Sequence, residues 1–76
     1  KSLIHLFPKA VILYNLKGAS SAALQKYDEA IETYKQVLKI QPEYADAYNN
    51  MANALQQKGD LDEAIETYKQ VLKIQP

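Results

Sequence analysis

The chain has 76 residues, 47% of them hydrophobic, and nine lysines balance nine carboxylates with no arginine and no cysteine. A chain this short buries only about 60% of its unfolded surface, and without cysteine it has no disulfide framework, thiolate metal site or thiol nucleophile. Zero net charge without Arg argues against a general nucleic-acid surface, and no apolar run reaches the roughly 18 residues of a membrane span.

Taken in order, Lys1–Pro8 reads as the end of a preceding element. Leu3, Ile4 and Leu6 recur as Val37, Leu38 and Ile40, so Ser2–Phe7 is expected to be the last turns of an earlier helix. A start at Lys1 rather than Met is expected of an excised piece. Helices are predicted at about 10–24, 28–40, 44–57 and 62–74. In the third, Tyr44, Ala47, Tyr48, Met51, Ala52 and Leu55 follow the spacing of one helical face. Gly59 suits a left-handed helix end, and Asp60 with Glu63 suggests a capping box opening the fourth helix. In that helix Asp62, Glu63 and Glu66 come early and Lys69 and Lys73 late, as the helix dipole favours.

The chain also repeats itself. Asp28–Pro42 and Asp62–Pro76 are the same 15 residues, DEAIETYKQVLKIQP, and the same offset of 34 places Pro8 on Pro42, Tyr14 on Tyr48 and Asn15 on Asn49. Two units follow, 9–42 and 43–76, each expected to be a helix–turn–helix ending in proline.

Such a unit resembles the tetratricopeptide repeat. The resemblance is carried by Tyr14 and Tyr48, then Gly18 and Ala52, in the first helices. In the second helices it is carried by Ala30 and Ala64, then Tyr34 and Tyr68, with Pro42 and Pro76 closing the units. It implies an all-α superhelix in which small residues let paired helices approach and tyrosines wedge between hairpins. It also implies a protein-interaction module whose first helices line a concave groove for a peptide or a partner helix. The segment AYNNMANAL is similar to repeats of O-linked N-acetylglucosamine transferases, in which an asparagine ladder holds substrate peptides. The matching residue is Asn50; the first unit has Leu16 there.

The first unit departs from the pattern. Lys17 stands where the second has Met51, Ser21 where it has Leu55, Gln25 where it has Gly59 and Lys26 where it has Asp60. A left-handed Gln25 costs roughly 1 kcal/mol against Gly. Its apolar stripe is instead Ile12, Leu16, Ala19 and Ala23, matched in the second unit by Asp46, Asn50, Asn53 and Gln57. With Asn15 and Asn49 these form the expected groove, apolar in one half and amide-rich in the other. Amides both donate and accept, which suits bonding to a peptide backbone; a plain solvated face is the other reading of the same residues. For Ile12 and Leu16 the alternative is packing against upstream structure.

No enzymatic constellation is present, so the chain is read as a non-enzyme without cofactor or metal. His5 stands alone, and Asp28/Glu29 and Asp62/Glu63 recur at helix starts, where the dipole accounts for them. The family's way of holding a terminal carboxylate with paired Lys and Asn is not expected, because Asn15 and Asn49 occupy the Lys position. The face of Ala64, Ile65, Tyr68, Val71 and Leu72 is expected to be open and to mediate self-association, by end-to-end stacking or helix exchange. Four lysines and no acid precede Asp28, whereas nine acids and five lysines run from Asp28 onward, which favours head-to-tail contact. Neither nucleic acid nor membrane is an expected partner, and a cytoplasmic location is expected. Two further readings stay open: a recruiting segment of a larger enzyme such as a glycosyltransferase, and a duplicated or designed scaffold without ligand.

Overall fold

The computed structural model describes residues 9–75. The reading of Lys1–Pro8, including His5, falls outside the described residues, as does Pro76. Four helices follow one another: α1 Lys9–Ala23, α2 Tyr27–Ile40, α3 Ala45–Lys58 and α4 Leu61–Ile74. Each boundary lies within one residue of the expected one, and among the described residues there is no strand. The fold is all-α, as expected.

The turns inside the two hairpins share one geometry. Gly59 has φ 102°, its N–H donates to the Gln56 and Leu55 carbonyls, and the Asp60 N–H donates to Leu55 O at 2.9 Å. This is the Schellman arrangement, in which a left-handed residue closes the helix. The first hairpin repeats it with Gln25 at φ 63°, its N–H donating to Ala22 O, and Lys26 N–H donating to Ser21 O at 2.8 Å. The backbone thus imposes the same turn on a residue poorly suited to it.

The capping box does not form. Asp60 makes no side-chain cap bond to α4, and its carboxylate instead lies 3.9 Å from the Lys58 ammonium. At φ −86° and ψ 68° its backbone is also away from the extended geometry that aims a cap side chain at the helix. The first turn of α4 is held through the backbone, the Ala64 N–H donating to Asp60 O.

Each helix packs mainly on its neighbours in sequence, α1 on α2, α2 on α3 and α3 on α4. This is the quasi-one-dimensional arrangement of a solenoid. Ala30, Ile31 and Tyr34 of α2 join Met51, Ala54 and Leu55 of α3 and Ala64 of α4 in one apolar cluster. A smaller cluster unites Val11, Val37 and Ala47. Full burial of side chains such as Leu55 or Val37 is worth about 1.5–3 kcal/mol each. Tyr34 wedges as expected, almost wholly buried, but Tyr14 is exposed. The inward stripe of α1 is thin, consisting of Val11, Gly18 and Ser21. Buried Thr33 and Thr67 satisfy their hydroxyls by donating to Glu29 O and Glu63 O, one turn back, each at 2.8 Å.

Candidate functional site

A cleft of about 220 Å³ opens between α1 and α3, with α2 as its floor. Ala19 and Ala22 supply one wall, Asn50, Asn53, Ala54 and Gln57 the other, and Tyr27 and Tyr34 the floor. The walls lie on different hairpins, so the site exists only once α2 has set α1 and α3 side by side. Small residues on α1 leave the opening unobstructed, while α3 projects its amides at i, i+3 and i+7, on one helical face.

Two tyrosines orient these amides. The Tyr27 hydroxyl donates to Gln57 Oε1 at 3.0 Å, and the Tyr68 hydroxyl donates to Asn53 Oδ1. With the carbonyl ends engaged, the Asn53 and Gln57 NH₂ groups are left as donors on the rim, and half-buried Asn50 offers both a donor and an acceptor. The wall is uncharged and suits a ligand rich in carbonyl acceptors, such as an extended peptide backbone.

The expected groove residues divide among several places. Ala19, Asn50, Asn53 and Gln57 come together in the cleft. Ile12, Leu16 and Ala23 lie on the exposed side of α1 and do not line it. Asp46 borders a second concavity, of about 280 Å³, with Gln41, Glu43, Tyr44, Ala45 and Gln75. Asn49 is exposed away from the cleft, and Asn15 is half-buried with its Oδ1 shielded from solvent and without a hydrogen bond. Both depart from the groove because each stands one position before the stripe, about 100° round its helix. Ala22, Tyr27, Tyr34 and Ala54 were not expected there; Tyr34 and Ala54 serve at once as core residues and cleft lining, and Ala22 and Tyr27 pack against the same core.

The expected self-association face is only partly open. Ala64 is buried against α3 within the chain and is not available to a partner. Ile65 and Leu72 are exposed, and Tyr68 and Val71 half-buried. Among the described residues no group of three or more His, Cys, Asp or Glu side chains is placed to hold a metal ion. No described helix is long and apolar enough to cross a membrane.

A family model described as TPR repeat matches residues 18–59, and one described as tetratricopeptide repeat matches residues 45–76. The chain belongs to the tetratricopeptide repeat family. It is 49% identical over 45 residues to the probable UDP-N-acetylglucosamine–peptide N-acetylglucosaminyltransferase SEC of Arabidopsis thaliana, a match covering 59% of this chain and 5% of that protein. It is 35% identical over 49 residues to the chloroplastic tetratricopeptide repeat domain-containing protein PYG7 of the same plant, covering 64% and 16%. The chain therefore spans a small part of these relatives. Among solved structures, the MamA protein superposes with a TM-score of 0.83 at 30% identity, over 93% of this chain and 39% of that one. Tetratricopeptide repeats are protein-interaction modules, and that general role holds for this chain.

Proposed function

We propose that this tetratricopeptide module binds an extended peptide segment of a partner protein in the cleft between α1 and α3. The observation that carries the reading is the row Asn50, Asn53 and Gln57, two of whose amides are aimed by tyrosine hydroxyls. Their donors meet successive peptide carbonyls, so affinity depends on backbone more than on sequence. The exposed apolar side chains of Ile12 and Leu16, which precede Ala19 on α1 without lining the cleft, accept apolar side chains of the same peptide. No catalytic role is assigned to any residue.

A peptide array of random ten-residue sequences, probed with the labelled chain, tests the proposal. Binding should fall by about tenfold in the Asn50→Ala/Asn53→Ala double variant, equivalent to about 1.4 kcal/mol. Unchanged binding in that variant refutes the role of the amides.

The match to SEC favours a second reading of the same cleft, as part of a longer array that recruits peptides to a glycosyltransferase. It requires that peptides selected by the array include acceptors for such an enzyme. If none of the selected peptides is glycosylated by SEC in vitro, this reading fails while the first one stands.

A further inference from the structure

The two hydroxyls that aim the amide row also limit which ligand groups the row can meet. The Tyr27 hydroxyl, carried by α2, donates to Gln57 Oε1 at 3.0 Å across the junction of the two hairpins. The Tyr68 hydroxyl donates to Asn53 Oδ1, which lies nearer to it than Gln56 Oε1 at 3.4 Å. A phenol has one proton to give, and each of these is given to the carbonyl end of an amide. Asn53 and Gln57 therefore turn their NH₂ groups to a ligand, and no carboxylate lines the cleft as a further acceptor.

An extended chain shows the N–H and the C=O of one residue on the same edge, and that edge repeats every second residue, at about 6.6 Å. Asn53 and Gln57 stand four residues apart on α3, about 6 Å along its axis, so they face the carbonyls of two alternate residues. Each such carbonyl brings its own N–H against a donor, where it stays unsatisfied at a cost in affinity. Proline offers the carbonyl without the N–H, and its fixed φ suits an extended chain.

We infer that the cleft selects extended segments with proline at alternate positions, set against Asn53 and Gln57, and that Tyr27 and Tyr68 determine this specificity. The inference rests on the peptide reading of the cleft given above. Half-buried Asn50 accepts as well as donates, so an ordinary residue is tolerated opposite it. Ala19 and Ala22 on the facing wall leave room for pyrrolidine rings, and the half-buried ring of Tyr27 gives them an apolar floor.

The test titrates the intact chain into three fluorescein-labelled ten-residue peptides and follows fluorescence anisotropy. Serine alternates with proline in the first, with alanine in the second and with N-methylalanine, which lacks the N–H but has no ring, in the third. The proline and N-methylalanine peptides are expected to bind about tenfold tighter than the alanine peptide. Tyr27→Phe keeps the ring that packs against the core but frees the Gln57 amide to turn its carbonyl to a peptide N–H. The preference should then shrink to about threefold or less. Gln57→Glu, at an exposed position, puts an acceptor in place of the donor and should erase it. Equal binding of all three peptides by wild type overturns the inference and leaves the peptide reading standing. A preference that survives unchanged in both variants overturns it too, because proline then acts by stiffening the peptide. So does an N-methylalanine peptide that binds no better than the alanine one, since the ring and not the missing N–H is then selected. If none of the peptides binds by about 1 mM, the peptide reading itself fails and the inference falls with it.

Discussion

The ring of Tyr34 lies directly on the backbone of Gly18. A Cβ built at Gly18 would stand 2.7 Å from Cε1 and Cζ of that ring, well inside contact distance. This close approach brings α1 onto α2 and sets the floor of the cleft. In the second hairpin Ala52 and Tyr68 hold the same places, and there the tyrosine is half-buried and its hydroxyl reaches Asn53.

Gly18→Ala should therefore destabilise the fold. Alanine gains about 1 kcal/mol in helix propensity over glycine, but overpacking against a buried ring costs about 1–3 kcal/mol. The net loss is up to about 2 kcal/mol, read as a lower midpoint in urea unfolding. A midpoint at or above that of wild type contradicts this account of the contact.

Gln25 offers the opposite case. At φ 63° it occupies the turn position that Gly59 occupies in the second hairpin. Gln25→Gly should raise stability by roughly 1 kcal/mol by removing left-handed strain. Gly59→Ala should lower it by a similar amount through torsion alone, since an added Cβ there meets nothing within 4 Å. Thermal unfolding of the two variants should move in opposite directions; movement in the same direction refutes the argument.

Asn15 has its Oδ1 buried without a hydrogen bond. A buried unsatisfied polar atom costs about 1–3 kcal/mol, and alanine is the better helix former. Asn15→Ala is expected to raise the unfolding midpoint and, because Asn15 does not line the cleft, to leave peptide binding unaltered. A loss of peptide binding in this variant would assign Asn15 to the site.

Alkaline pH should weaken the fold. The Lys58 ammonium is held above its ordinary 10.5 chiefly by its hydrogen bond to Asp28. The Tyr34 hydroxyl is pushed above 10.0 by burial, and Tyr44 by burial and then by the charge of Asp46. All three hold their protons more tightly folded than unfolded, so their contribution is complete below the unfolded values and is lost as pH rises through the folded ones. The melting temperature should hold up to about pH 10 and fall above it, and fall less steeply in Lys58→Met. A midpoint that rises between about pH 10 and 11 contradicts the sign.

The helices were legible because their signals are local. Gly59, Pro42 and the graded charges of α4 mark ends that need no distant contact. The exception is Asp60, whose carboxylate faces Lys58 instead of capping α4. The cleft was half legible: Ala19, Asn50, Asn53 and Gln57 share a stripe that helical periodicity reveals. Tyr27, Tyr34, Ala22 and Ala54 escaped because each lies off that stripe and enters the site only through the placement of one helix beside another. Val11 escaped too, although its spacing of seven from Gly18 is a helical signal.

By itself, then, the sequence determined four helices, two hairpins and a repeating unit, since periodicity, turn residues and the 15-residue duplication are properties of the chain read locally. The same duplication marked the face of Ile65 as open, but it did not reveal that Ala64 on that face packs into the core. Only the tertiary structure decided that Ala64 is core while Ile65 beside it is surface. Burial depends on which helix covers a face, and α3 covers α2 while leaving the same face of α4 open.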